Sequence, residues 1–287
     1  MRFALYLVLW VVPLAPTQAQ SIPSEIVVLT IGSPTFQRIT TNEFADEEPE
    51  WSPDGTRILF DSDRAGSNDL YLMNADGSEL TRLTRGPAKE DHGAWSHDGR
   101  LILYQHEEAG NTDVYVMGSD GSARVRLTDH PARDGWPDWS PDGSDIVFSS
   151  DRDGHREIYL MRADGSEQTR LTWSDNDNTD PTFSPDGAWI AFNSERDGNS
   201  EIYIMRADGS MQTRLTQNDV YDERPDWSPD GQQILFSRGQ DGGTTLWVMS
   251  LNGRDAKQIS PDGYSIGRAH WSRDGLHVVS GYRPGRD

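Results

Sequence analysis

Cysteine is absent from this 287-residue chain. No disulfide can staple it, no thiolate can serve as nucleophile or zinc ligand, and no lipid can be attached as in a bacterial lipoprotein. Basic charge is scarce: 26 Lys and Arg stand against 47 Asp and Glu, for a formal net charge of −21. That excludes a basic nucleic-acid footprint, and an anionic lipid surface would repel the chain. Sustained helical periodicity is missing too, which argues against a bundle or an alternating α/β fold. The seven His include no His-Glu-X-X-His motif and no pair at i, i+4, so a zinc hydrolase has no support. No Asn-X-Ser/Thr sequon occurs, as fits a bacterial periplasmic protein.

Only the N-terminus carries a long apolar run. Arg2, the stretch Phe3 to Leu14 and the small residues of Thr17-Gln18-Ala19 read as a secretory signal over residues 1–19. The run is too short to span a bilayer comfortably, and no later segment could cross one. The expected product is a periplasmic or secreted protein comprising residues 20–287. Without disulfides it must be held together by packing alone.

What is present is an echo. Trp51, Trp95, Trp139, Phe183, Trp227 and Trp271 are spaced by 44 residues, each followed by Ser at +1, Asp at +3 and Gly at +4. A period of about 40–45 residues is that of a four-stranded propeller blade. In the first copy, Pro49 to Ser52 reads as a short strand and Pro53-Asp54-Gly55 as a tight turn. Alternating Ile58 and Phe60 read as a second strand, Leu70 to Met73 as a third, Asp76-Gly77 as a hairpin and Thr81 to Thr84 as a fourth. A lone blade cannot bury its two apolar faces, so the blades must stack radially, with the repeated Trp and Tyr packed between them.

The sixth copy stops after two strands. Forty-four residues before Asp69 stands Glu25, and Glu25 to Leu29 with Gln37 to Thr40 supply the missing pair. Residues 24–287 amount to six periods of 44. The expected fold is all-β: a six-bladed propeller of four-stranded antiparallel blades, closed by two N-terminal and two C-terminal strands. Closure leaves no sticky edge and no stretch for a separate catalytic domain.

The unit Pro-X-Trp-Ser-Pro-Asp-Gly, Ile-X-Phe, Glu-Ile-Tyr-X-Met-X-Ala-Asp-Gly-Ser, Arg-Leu-Thr resembles the TolB-type, WD40-like propeller repeat. Six in-register copies carry the resemblance across residues 24–287. It implies a scaffold that binds envelope proteins. A family member of the Tol–Pal system binds a peptidoglycan-associated lipoprotein and has an α/β domain before its propeller. That domain has no counterpart after the expected signal.

Variable loops should carry the function, because the Asp-Gly turns are near-copies and the loops joining successive blades differ. Three residues before the aromatics, His92, Trp136, Asp180, Arg224 and Arg268 are candidates for partner binding, alongside Glu48. Five before them, Asp46, Glu90, Asp134, Asn178 and Asp222 (Ile266 in the sixth copy) offer oxygen ligands for a possible Ca²⁺ site at the central funnel. The alternative is that each accepts hydrogen bonds from loop backbone within its own blade. No cofactor is required, and a monomer that binds an envelope protein or peptide is expected. An enzyme is the rival class: a lyase or glycan hydrolase could begin from His92, Arg224 and Arg268, although the neighbouring acids disfavour an anionic sugar. Gly263-Tyr264-Ser265-Ile266-Gly267 matches a nucleophile-elbow pattern but lacks the strand-to-helix setting. Asp175 to Asp180 begins like a calcium loop yet lacks its glycine and distal Glu.

Overall fold

A computed structural model describes residues 23–33, 35–240, 243–262 and 264–284. The expected signal segment lies outside the described residues. Among these, 24 strands and no helix form six four-stranded antiparallel sheets. The innermost strands are Asp46–Trp51, Lys89–Trp95, Asp134–Trp139, Asn178–Phe183, Asp222–Trp227 and Tyr264–Trp271 for blades 1 to 6.

Each piece of the repeat motif has a bond to make. In Ser-Pro-Asp-Gly, the Ser52 hydroxyl donates to Asp54 Oδ1 at 2.7 Å and accepts the Arg57 N–H at 2.9 Å. The Asp54 carboxylate also accepts from Thr56 N–H, and these donors pull its pKa down to about 2. In Arg-Leu-Thr, Arg82 Nη2 donates to buried Asp69 at 2.7 Å, Leu83 enters the core, and Thr84 Oγ1 accepts the Leu70 N–H at 2.8 Å. The acid at or near the start of the third strand and the Arg of the fourth recur as Asp113–Arg126, Glu157–Arg170 and Glu201–Arg214.

Packing between blades is apolar and tight. Trp95 of blade 2 packs with Leu59, Leu70, Leu72 and Leu83 of blade 1, as the repeat implied for every copy. The third-to-fourth hairpin also needs its glycine for a close approach. Gly209 has φ +83°, and a Cβ there would sit 2.9 Å from the Leu171 carbonyl oxygen of the preceding blade.

The sixth sheet runs Phe36–Arg38, Glu25–Thr30, His277–Pro284, Tyr264–Trp271 from rim to axis. Glu25–Thr30 pairs along its whole length with His277–Tyr282, Glu25 opposite Tyr282 and Thr30 opposite His277. Ile26 is fully buried among Ile58, Phe60, Tyr71, Met73 and Val279, between blades 6 and 1.

One boundary differs from expectation. The innermost strands begin three residues earlier than Pro49 suggests, at Asp46 in blade 1 and at the equivalent residues of blades 3 to 5. A β-bulge lets them do so: the register shifts between Glu47 and Glu50, with Glu48 at φ 47°. His92, Trp136, Asp180 and Arg224 repeat that left-handed backbone in the next four blades. A bulge bends the strand and re-aims one side chain.

Candidate functional site: the axial channel and its two mouths

The bulge places the residue three before each aromatic at the variable-loop end of the axial channel. Glu48, His92 and Arg268 line an inner cavity of about 70 Å³, and Glu48 and Arg224 line a cleft of about 280 Å³ beside blade 6. His92 Nδ1 lies 2.8 Å from Gln105 Nε2 and 3.2 Å from Asp91, while its Nε2 is 3.8 Å from Glu48. Burial lowers the His92 pKa, but Asp91 and Glu48 outweigh it and the net shift is upward. Trp136 takes the Arg156 guanidinium 4.6 Å from its ring centroid and meets His92 edge-on. Arg268 reaches Asp180 across the channel at 3.4 Å. The candidate partner-binding residues therefore form one ring of unlike chemistry, and contacts among them and their neighbours brace it.

The residues two positions earlier behave differently. Asp46 receives Arg64 Nη2 at 2.6 Å, Asp134 receives Arg152 Nη2 on both oxygens at 2.9 Å, and Asp222 receives Arg238 Nε and Nη2 at 2.7 Å. Asn178 accepts from Arg196 at 3.0 Å, and Glu90 meets His106 Nδ1 at 3.2 Å. Each partner comes from the connection after the second strand of the same blade, or from that strand's end. The arginines lie over that blade's aromatics, as Arg152 does over Phe148 and Tyr159. Asp46, Glu90, Asp134, Asn178 and Asp222 line neither axial cavity. The expected convergence on the funnel is replaced by separate clamps within blades. Among the described residues, no three His or acidic side chains are grouped so as to hold a metal ion.

Ser265 sits near the start of a strand, with Thr244 Oγ1 at 3.4 Å and no helix after it among the described residues, so the Gly-X-Ser-X-Gly match is not an elbow. Gly263 itself lies outside the described residues.

Sequence reasoning passed over the residue immediately before each aromatic. Glu50, Asp138 and Asp226 come from alternate blades, with Ala94, Thr182 and His270 between them, and all six line the inner cavity. Each carboxylate accepts the N–H of the next blade's aromatic: Trp95 at 3.2 Å, Phe183 at 2.8 Å and Trp271 at 2.8 Å. Burial pushes the Glu50 pKa up to about 8 against the pull of His270, and it raises that of Asp138. His270 lies 3.6 Å from Asp226 and is itself raised, because Asp226 and Glu50 overcome its burial. Below them the channel widens into a funnel of about 470 Å³ on the Asp-Gly-turn face, walled by all six repeat aromatics. The available signal was a carboxylate at this position in every second copy.

No helix among the described residues is long and apolar enough to cross a membrane. The chain is similar over 92% of its length to a solved structure from Agrobacterium tumefaciens described as a TolB, covering 99% of that chain at 28% identity with a TM-score of 0.79. The TolB of Acinetobacter baumannii matches 92% of this chain and 65% of its own, at 20% identity and TM-score 0.69. An oligogalacturonate lyase from Vibrio parahaemolyticus shares the fold at 15% identity and TM-score 0.61, over 88% of this chain and 77% of its own. Among curated proteins, the Tol-Pal system protein TolB of Bordetella pertussis is 37% identical over 57 residues, 20% of this chain and 13% of that protein. The TolB beta propeller domain matches residues 13–112, 94–182 and 177–284. With its matches running across the whole described ring, the chain belongs to the TolB beta-propeller family.

Proposed function

We propose that this propeller is an exported docking module that binds a protein of the cell envelope through its variable-loop face, as a periplasmic or secreted monomer without a required cofactor. The observation that carries this reading is that both exposed large aromatic side chains among the described residues, Trp173 and Tyr221, stand in the loops between blades. Trp173 is 67% exposed in the loop leading into blade 4, and Val220 and Tyr221 are exposed in the loop leading into blade 5. Exposed aromatics beside a ring of charged and aromatic groups are the usual anchors of a protein interface. The loops are braced for it: Asn199 Nδ2 donates to the Val220 carbonyl, and the Ser174 hydroxyl accepts from Asn178. The occupants of the mouth, Arg224 and Arg268 among acids, suit a partner surface of mixed charge.

Similarity to proteins of the Tol-Pal system names the first partner to test, the Pal lipoprotein of the same cell. Titration calorimetry of the purified propeller against the soluble Pal domain should show binding. Trp173→Ala with Tyr221→Ser, and separately Arg224→Ala, should each weaken it about tenfold or more, at unchanged melting temperature. Absence of binding, or binding indifferent to all three substitutions, would count against this role.

A further inference from the structure

The funnel on the Asp-Gly-turn face lies on the side opposite the proposed docking loops. Its volume of about 470 Å³ falls within the range of small-ligand pockets. Trp51, Trp95, Trp139, Phe183, Trp227 and Trp271 form its wall, and four prolines, His97 and Arg273 form its rim. Glu50, Asp138 and Asp226 stand at its floor with a single imidazole, His270, already engaged with Asp226. Two of the protein's own cations show what these surfaces accept. The Arg57 guanidinium lies 5.4 Å from the Trp95 ring centroid, in a cleft adjoining the funnel. Arg273, standing where four other blades have proline, reaches across to donate from Nη1 to the Pro53 carbonyl at 3.2 Å.

We propose that this funnel binds a small organic cation, an ammonium or guanidinium on an aliphatic stem. The charge would sit among Glu50, Asp138 and Asp226, and the stem would lie along the Trp and Pro walls. A bare metal ion would leave the apolar wall unused, and the carboxylates are not grouped to chelate one. An anion would meet three acids. A cation also relieves the floor, because burial holds Glu50 and Asp138 at raised pKa and a positive neighbour favours their charged form. The groups facing Glu50 are His270, Asp138 and Asp226 at its own level and Glu48, His92 and Arg268 in the inner cavity. The same chemistry comes from two sources, a free polyamine or a Lys or Arg side chain of a peptide.

The test is titration calorimetry of the full chain with 1,5-diaminopentane, spermidine and a blocked lysine peptide. At least one amine should bind. Asp138→Asn with Asp226→Asn keeps an acceptor for the Phe183 and Trp271 N–H groups and should weaken binding at least about tenfold. Arg273→Gln removes the resident cation and should strengthen it several-fold, a gain that misfolding cannot imitate. Near pH 7, binding should release protons, seen as a buffer-dependent heat, and Glu50→Gln should diminish that release. Binding by both amines and peptide, or by either alone, supports the site and identifies its source. The proposal is overturned if no amine binds below about 10 mM. It is also overturned if affinity ignores the Asp138, Asp226 and Arg273 substitutions, or if only Ca²⁺ or a neutral sugar binds.

Discussion

Replacing Ile26 by Ala probes whether the N-terminal strands hold the ring closed or merely lean on it. Ile26 is fully buried between blades 6 and 1, against Ile58, Phe60, Tyr71, Met73 and Val279. The change removes three side-chain carbons, about 2.4 kcal/mol at roughly 0.8 kcal/mol per buried methylene. The cavity left behind brings the loss to about 3–4 kcal/mol, within the usual range for such truncations. For a domain of this size that is about 6–10 °C in melting temperature. Ile158→Ala is the internal control, since Ile158 holds the equivalent place in blade 3 and is also fully buried. Calorimetric or circular-dichroism melts should show the two variants destabilised alike. A loss below about 2 °C for Ile26→Ala, beside the full loss for Ile158→Ala, would mean the terminal strand frays freely and contributes little to the ring.

Arg152→Ala should cost about 3–5 kcal/mol in urea unfolding, because it strands the fully buried Asp134 carboxylate. Asp134→Asn should cost less, since Asn178 already fills that position opposite Arg196 in blade 4. Glu50 is raised from 4.5 to about 8 in the folded protein, so between those values the native state binds more protons than the unfolded chain. Its contribution is complete below about pH 4.5 and lost as pH rises toward 8, and Glu50→Gln should remove that falling limb from the urea-stability profile. Gly209→Ala should destabilise more than Gly198→Ala. Both glycines have positive φ, but a Cβ at Gly209 meets the Leu171 backbone and one at Gly198 meets nothing within 4 Å. Thermal melts of the two variants give the comparison.

Much of the frame was legible because it repeats. The Ser-X-Asp-Gly turn makes the same Ser-to-Asp hydrogen bond in all six copies, and the Arg-Leu-Thr strand repeats its Arg-to-Thr carbonyl bond in blades 1 to 4. The acids and the one amide five before the aromatics were visible as a pattern, but their destination was not. The arginine that claims each of them in blades 1, 3 and 4 stands 18 residues on, as Arg64 does for Asp46, and only the folded blade brings the two together. The strand start was misplaced for a related reason. Pro49 suggests a boundary, while the left-handed residue at Glu48 turns it into a bulge and lets pairing continue.

By itself the sequence determined the blade count, the 44-residue unit and the two-plus-two closure, because spacing and alternation are properties of the chain. The variable loops, too, were evident from their departure from the repeat. Only the tertiary structure decided which side chains share the axis. Six residues separated by 44 positions become neighbours when the ring closes, so Glu50, Asp138 and Asp226 form one floor although each alone reads as an ordinary strand residue. Closure also set the ionisation of Glu50 and Asp138, since burial at the axis raises their pKa values in a way that no local stretch of chain could.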